Sequence, residues 1–184
     1  MDLTEKQLDT RIVYEGGFLE VRKDTVQLPN GSTSTREYLT HPGAVAMLAI
    51  LDNGKLLMER QHRYPWHCDF IELPAGKIDP GEDILVTAQR ELLEETGYVA
   101  SSWTHLASAA PCIGYSDERM EYFIARGLTH RGSQLDDEEF LEVFELSPEE
   151  AMQWIRDGRI TDSKTIVGLF WLEKVLKEGW SAQE

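Results

Sequence analysis

Cysteine is scarce in this chain: 184 residues contain two, Cys68 and Cys112. Two cysteines make at most one bridge, so a disulfide framework is excluded, and with no secretory signal ahead of them a reducing, cytoplasmic setting is expected. Long apolar runs are also missing. The longest falls far short of the roughly 20 residues that span a bilayer, so no membrane partner is expected. Positive charge is in short supply: 18 Lys and Arg face 33 Asp and Glu, a net charge of −15, which argues against a nucleic-acid or anionic-lipid surface held through phosphates. A protein this acidic that handles an anionic substrate must screen it with divalent cations and a few placed arginines. No repeat, low-complexity tract or long linker interrupts the chain. Its length suits one domain, or one with an arm, burying roughly two thirds of its unfolded surface.

Strands and helices mix without strict alternation. Thr10 to His41 alternates in places, as in Leu19-Glu20-Val21-Arg22, and Asn30-Gly31 signals a turn before Thr33 to Thr40, so antiparallel strands are expected. Beyond Pro42-Gly43, the apolar run Ala44 to Leu51 predicts a buried strand, which Asp52-Asn53-Gly54 turns into Lys55 to Arg63. Trp103 to Ala109, Met120 to Ala125 and Leu141 to Glu145 predict three more strands. Asp83 to Thr96 reads as a helix closed by Gly97; Ser147-Pro148-Glu149-Glu150 starts a second that Gly158 ends; Asp162 or Ser163 opens a third that runs to about Glu178. This pattern predicts an α/β protein of α+β type, a mixed β-sheet sandwiched between helices over residues 44–184, preceded by an antiparallel strand arm over 1–43. Trp154, Phe170 and Trp171 lie among aliphatics in the later helices and are expected to pack in the core.

The helix from Asp83 to Thr96 carries the chemical signal. At 100° per residue from Glu91, Glu95 lies at about 40° and Glu94 at about −60°, while Ala88, Leu92, Leu85, Leu93 and Val86 fill an arc from about 60° to 220°. Three carboxylates therefore share one face. Glu91 and Glu95 are a like-charge i, i+4 pair, and Glu94 and Glu95 occupy the last turn, where the helix dipole disfavours negative charge. Exposed, these arrangements cost tenths of a kcal/mol; partly buried, two charges about 5.5 Å apart repel by roughly 3 kcal/mol at an effective dielectric of 20. A solvated acidic face is the ordinary explanation of such a trio. A hard-cation site is the other, since Mg²⁺ takes oxygen ligands and keeps water and substrate phosphate in its shell.

Spacing decides between them. Residues 76 to 98 run Gly76, five residues, Glu82, seven residues, Arg90-Glu91-Leu92-Leu93-Glu94-Glu95-Thr96-Gly97-Tyr98. This resembles the Nudix box, G-x5-E-x7-R-E-U-x-E-E-x-G-U with U bulky and apolar, at every fixed position; Tyr98 stands where an aliphatic is commoner. Seven fixed residues at about 7% usage each, with two apolar places, make a chance match roughly a one-in-ten-million event. The resemblance covers nearly the whole chain and is to the ADP-ribose pyrophosphatase branch of the Nudix hydrolases. It implies a Nudix fold and hydrolysis of the pyrophosphate of a small-molecule nucleoside diphosphate linked to another group. ADP-ribose would give AMP and ribose 5-phosphate. The implied cofactor is Mg²⁺, two or three ions per site, with Mn²⁺ as a substitute, and the implied assembly is a homodimer made through the strand arm.

Residue by residue, the resemblance places metal ligands at the Ala75 carbonyl and at Glu91, Glu94 and Glu95, with Arg90 orienting a glutamate. A further ligand comes from an acidic loop matched by Leu135-Asp136-Asp137-Glu138-Glu139, where Glu139 aligns. Arg63 matches a phosphate-binding arginine, Arg36 and Glu37 match arm residues that reach the partner's nucleotide, and Glu118 matches an acid of the substrate loop. Two places depart from the branch. Its usual proline, fifteen residues past the box, is Ile113 here, with Pro111 two residues early, which leaves another nucleotide sugar such as GDP-mannose as the alternative substrate. The aromatic that stacks on adenine aligns with Gly17, and the neighbouring Phe18 either takes its place or packs in the core. A non-catalytic nucleotide-binding regulatory module is the remaining alternative, and it would not need the full glutamate set. The five histidines, His41, His62, His67, His105 and His130, show no metal-ligand spacing, so zinc is not expected.

Overall fold

The structure, a computed structural model, describes residues 1–132 and 140–180. It divides into two units: Met1–Pro42 with Ala110–Arg119, and Gly43–Ala109 with Met120–Glu184.

The first unit is a three-stranded antiparallel sheet, β1 (Lys6–Glu15), β2 (Glu20–Gln27) and β3 (Thr33–Thr40), in that spatial order. Asn30-Gly31 makes the expected turn: Gly31 adopts φ 84° and the Asn30 side chain accepts from the Ser32 amide at 3.0 Å. Residues 110–119 join this sheet's edge. The Leu39 amide donates to the Tyr115 carbonyl at 2.8 Å, and the His41 amide donates to the Asp117 carboxylate at 2.8 Å. β1 begins earlier than the alternation at Thr10 suggests. Every residue of β1 is exposed within this chain, so no buried face imposes a period of two on Lys6 to Asp9.

In the second unit β4 (Ala44–Ala49) is buried throughout. It pairs in parallel with β9 (Met120–His130) and antiparallel with the short β7 (Ala75–Lys77); β8 (Tyr98–Ala109) pairs antiparallel with β9 and completes a mixed sheet in the order β7-β4-β9-β8. A separate antiparallel sheet has the order β10 (Leu141–Leu146), β5 (Leu56–Arg63), β6 (Cys68–Glu72), the last two joined through a 3₁₀ turn at Tyr64–Trp66. Successive residues of β4 feed opposite cores. Val45, Met47 and Ala49 pack with Ala88 and Leu92 of α1 (Ile84–Thr96), whereas Ala46 and Leu48, with Ile50 just past the strand, share a cluster with Ala151 and Met152 of α2 (Pro148–Arg156) and Leu169 and Leu172 of α3 (Ser163–Glu178). The sheet thus lies between helices, the Nudix arrangement expected, and α1 is set against the face that carries β7.

Several details correct the sequence reading. The main-unit strands form two sheets, and β6 and β7 have no counterpart among the expected strands: three to five residues mixing Asp, Gly and Lys with apolar ones show no periodicity. β8 starts at Tyr98, directly after the Gly97 cap, rather than at Trp103. Phe170 is 46% exposed and so not a core residue, while Trp154 and Trp171 do pack against the larger core. Val86, at the edge of the apolar arc of α1, is also exposed. Both cysteines are free thiols, and among the described residues no helix is long and apolar enough to cross a membrane.

Candidate active site

α1 is held at both ends by its own sequence. Asp83 caps the N-terminus, accepting from the Leu85 amide at 2.9 Å, a contact worth about 1 kcal/mol. Gly97, at φ 74°, returns its amide to the Leu93 carbonyl. Between them Arg90 gathers the acids around it. Its Nη1 donates to Glu91 Oε1 and to Glu94 Oε2, both at 2.9 Å, and its Nε and Nη2 grip Glu82 at 3.1 and 2.9 Å. One guanidinium therefore offsets the repulsion among three carboxylates. The resemblance gives Arg90 a single glutamate to orient and gives Glu82, a fixed box position, no role. Glu82 proves to be the anchor, bonded also to the Thr87 hydroxyl at 2.8 Å.

The face is graded, not uniform. Glu94 is the most open of the three helix glutamates, Glu91 is mostly covered, and Glu95 is 6% exposed. A solvated acidic face does not describe Glu95. Its Oε2 accepts the Ala75 amide of β7 at 3.0 Å, which ties the end of α1 to the strand in which the box begins. Gly76, next along β7, faces Glu91 so closely that a Cβ there would overlap the carboxylate. Ala75, Gly76, Glu91 and Glu95 are thus one packed assembly. Among the described residues no three His, Cys, Asp or Glu side chains already converge as a metal cage. The oxygen-only donor set, with one nearly buried carboxylate and one seated over a bare glycine, nevertheless fits a hard divalent cation. Glu139 and the rest of its acidic run lie outside the described residues.

Arg63, at the end of β5, does not wave from the surface. Its Nε and Nη2 form a fork on Glu72 Oε1 and Oε2, both at 2.7 Å. Glu72 is 3% exposed. Burial works to raise its carboxyl, but the Arg63 fork and the Lys164 ammonium outweigh it and hold the group below the usual carboxylate range. Neither Glu72 nor Lys164 stands out in the sequence, since a charge pair formed by residues 92 positions apart leaves no local signal.

In the first unit, Arg36 pairs with Glu5 and donates to the Thr35 carbonyl at 2.9 Å, and Glu37 pairs with Lys23 at 2.5 Å across β2 and β3. The Glu118 amide donates to the Ser116 hydroxyl at 3.1 Å. Phe18 is 57% exposed, in edge contact with the His41 ring, so the core alternative for it is excluded.

Residues 40–166 match the NUDIX domain family, and residues 5–39 match the nucleoside diphosphate sugar hydrolase N-terminal domain. The chain belongs to the NUDIX family. Among its relatives, a methanol dehydrogenase activator of Bacillus methanolicus is 42% identical over 92% of either chain. An ADP-ribose pyrophosphatase of Bacillus subtilis (strain 168) is 38% identical over 99% of this chain and 98% of its own. A solved ADP compounds hydrolase superimposes with a TM-score of 0.87 at 23% identity, covering 97% of this chain and 98% of that one, which shows the shared fold.

Two further features of this NUDIX chain bear on its chemistry. NUDIX hydrolases generally use a divalent metal such as Mg²⁺, consistent with the oxygen donors described above. His105, ordinary by its sequence context, has its Nε2 2.7 Å from Glu121 Oε2, a 2%-exposed carboxylate that also accepts the Ser108 hydroxyl at 2.5 Å. This trio sits on β8 and β9, in the sheet row that runs from Gly76 through Val45 to Glu121 and Ser108.

The Glu82–Arg90 grip has a pH signature. Hydrogen bonds from Arg90 and then Thr87 pull the Glu82 carboxyl from 4.5 down to about 2. A carboxyl lowered in the folded state adds stability above its unfolded value and loses it as pH falls through the folded one. Between pH 4.5 and about 2, the melting temperature of the Glu82→Gln variant should therefore fall less steeply than that of the parent. Parallel slopes in thermal melts would show that Glu82 is not so held.

Proposed function

We propose that this chain hydrolyses the pyrophosphate bond of a nucleoside diphosphate linked to a second group, with ADP-ribose as substrate and AMP and ribose 5-phosphate as products. The observation that carries the reading is the Glu91–Gly76 and Glu95–Ala75 assembly. The helix acids are brought against the strand in which the box begins, where the resemblance puts a metal-binding carbonyl at Ala75. A module that only bound nucleotide would have no need to hold that many carboxylates together against their repulsion. Relatives named ADP-ribose pyrophosphatase, one of them matched end to end, support the substrate; GDP-mannose or another nucleotide sugar is the alternative.

Mg²⁺ ions held by Glu91, Glu94, Glu95, the Ala75 carbonyl and Glu139 would supply Lewis acidity, lowering the pKa of the attacking water and neutralising phosphate charge. The chain's own residues do the rest. Arg90 holds Glu91 and Glu94 in place through its Nη1, Ala75 fixes Glu95, Arg63 steadies the substrate phosphates, and Glu118 and Phe18 contact the nucleotide side. The test is a panel of nucleoside diphosphate compounds assayed with Mg²⁺, read as phosphate released by a coupled phosphatase. ADP-ribose should lead it, and turnover of GDP-mannose above ADP-ribose would reassign the substrate.

The arm is proposed to assemble the site. β1 is exposed along its whole length, and Leu8, Ile12, Val13 and Tyr14 each expose about half of their surface in a single chain. Four large apolar side chains on one strand are best covered by a second copy, in a two-fold dimer where Arg36 and Glu37 reach the partner's nucleotide. Light scattering at micromolar concentration should give twice the 21.0 kDa chain mass. A monomer would remove Arg36 and Glu37 from the site.

A further inference from the structure

Behind Glu72 stands the first turn of α3. Lys164 Nζ pairs with the Glu72 carboxylate and lies 3.0 Å from Asp162 Oδ2. Both partners of the first pair are well covered, Lys164 at 13% side-chain exposure and Glu72 at 4%. The neighbouring Thr165, fully buried, accepts the Leu73 amide on its Oγ1 at 2.9 Å and donates from that hydroxyl to Asp162 Oδ2 at 2.7 Å. One turn on, Gly168 presents no side chain to Leu73, whose Cδ1 would stand 2.7 Å from a Cβ there. Three successive contacts thus fasten this helix end to residues 72 and 73, immediately before the Pro74-Ala75-Gly76 segment that meets the box glutamates.

Burying a lysine beside a buried glutamate is costly, and a pair so placed often adds little to stability. Its geometry here points to another use. Glu72 Oε2 accepts from both Lys164 Nζ and Arg63 Nη2, and Oε1 from Arg63 Nε, so its carboxylate cannot turn without breaking a charged contact. The fork occupies Nε and one N–H of Nη2, which leaves the Nη1 edge of a 43%-exposed side chain outside the grip.

We propose that Lys164 is a positioning residue for substrate phosphate: by clamping Glu72 from behind, it fixes the orientation in which Arg63 presents its Nη1 edge. This rests on the proposal that Arg63 binds the phosphates. Without Lys164 the buried Glu72 retains Arg63 as its counter-charge, and the guanidinium is drawn inward to compensate.

A double-mutant cycle tests it. In Lys164→Met, the affinity for ADP with Mg²⁺, measured by calorimetry, falls about tenfold, the loss of one charge-assisted contact. The KM for ADP-ribose rises in step while kcat changes much less, because the contact serves ground state and transition state alike. Lys164→Arg, which keeps the charge, restores most of the affinity. In an Arg63→Ala background Lys164→Met has no further effect on ADP binding, since its only route to the substrate is gone. Multiplying losses in the double variant, or unchanged affinity in a folded Lys164→Met, overturns the proposal while leaving Arg63 in its role. Unchanged affinity in Arg63→Ala alone overturns the Arg63 reading and this proposal with it. If Lys164→Met does not fold, Lys164→Gln, which also removes the ammonium but keeps a polar side chain, is read in the same cycle against the same outcomes.

Discussion

Glu95→Gln should lose kcat by about 10²- to 10⁴-fold, the several kcal/mol expected when a metal ligand is removed, and should remain folded. The substitution keeps the shape of the side chain and an oxygen that can still accept the Ala75 amide, so the tie between α1 and β7 survives. What it removes is a charge. That charge is 6% exposed, sits one turn from Glu91 and lies in the last turn of a helix, three circumstances that each penalise an anion. In metal-free buffer the variant should therefore melt no lower than the parent, and by the repulsion argument slightly higher. Steady-state kinetics and metal-free thermal melts check the two halves separately. A kcat within about tenfold of the parent would take the box helix out of the chemistry. A lower melting temperature would mean that the carboxylate is held for stability.

Such a residue is legible in the amino-acid sequence because its placement is local. Glu91, Glu94, Glu95 and Arg90 lie on one helix, so their relative positions are set by 3.6 residues per turn, and the grip of Arg90 on Glu82 and the close approach of Gly76 to Glu91 tie those two positions to the same helix. The caps Gly97 and Ser147 are legible for the same local reason, while Asp83, expected as the first helical residue, is the N-cap. Legibility stops where partners are distant along the chain. Arg63 stands out in the sequence, but the Glu72 carboxylate that orients it does not, nor do Lys164 and Thr165, because those contacts are made by a helix end 92 residues on. The pairing of His105 with Glu121 depends on the register of β8 on β9, which a single sequence does not state. The start of β1 and the whole of β7 escape for a different reason: one strand has no buried face, and the other is three residues long.

Gly76→Ala should separate catalysis from folding more sharply than any change to a charged residue. Gly76 pairs with Val45 in regular strand and is not among the glycines with positive φ, so alanine can adopt its backbone; replacing a strand glycine even favours folding by roughly 0.5–1 kcal/mol. The obstacle is on one side only. The added methyl would overlap the carboxylate of Glu91, the far end of a flexible side chain, which can swing away at small cost to stability. Swinging away, however, breaks the 2.9 Å contact with Arg90 and takes Glu91 out of register with Glu95 and the Ala75 carbonyl. The expected result is a melting temperature within a few degrees of the parent, with kcat reduced about 10²-fold or more and Mn²⁺ binding weakened in a direct titration. Full activity in a well-folded Gly76→Ala protein would mean that the Glu91 carboxylate need not sit over residue 76, and the glycine of the box would then need another explanation.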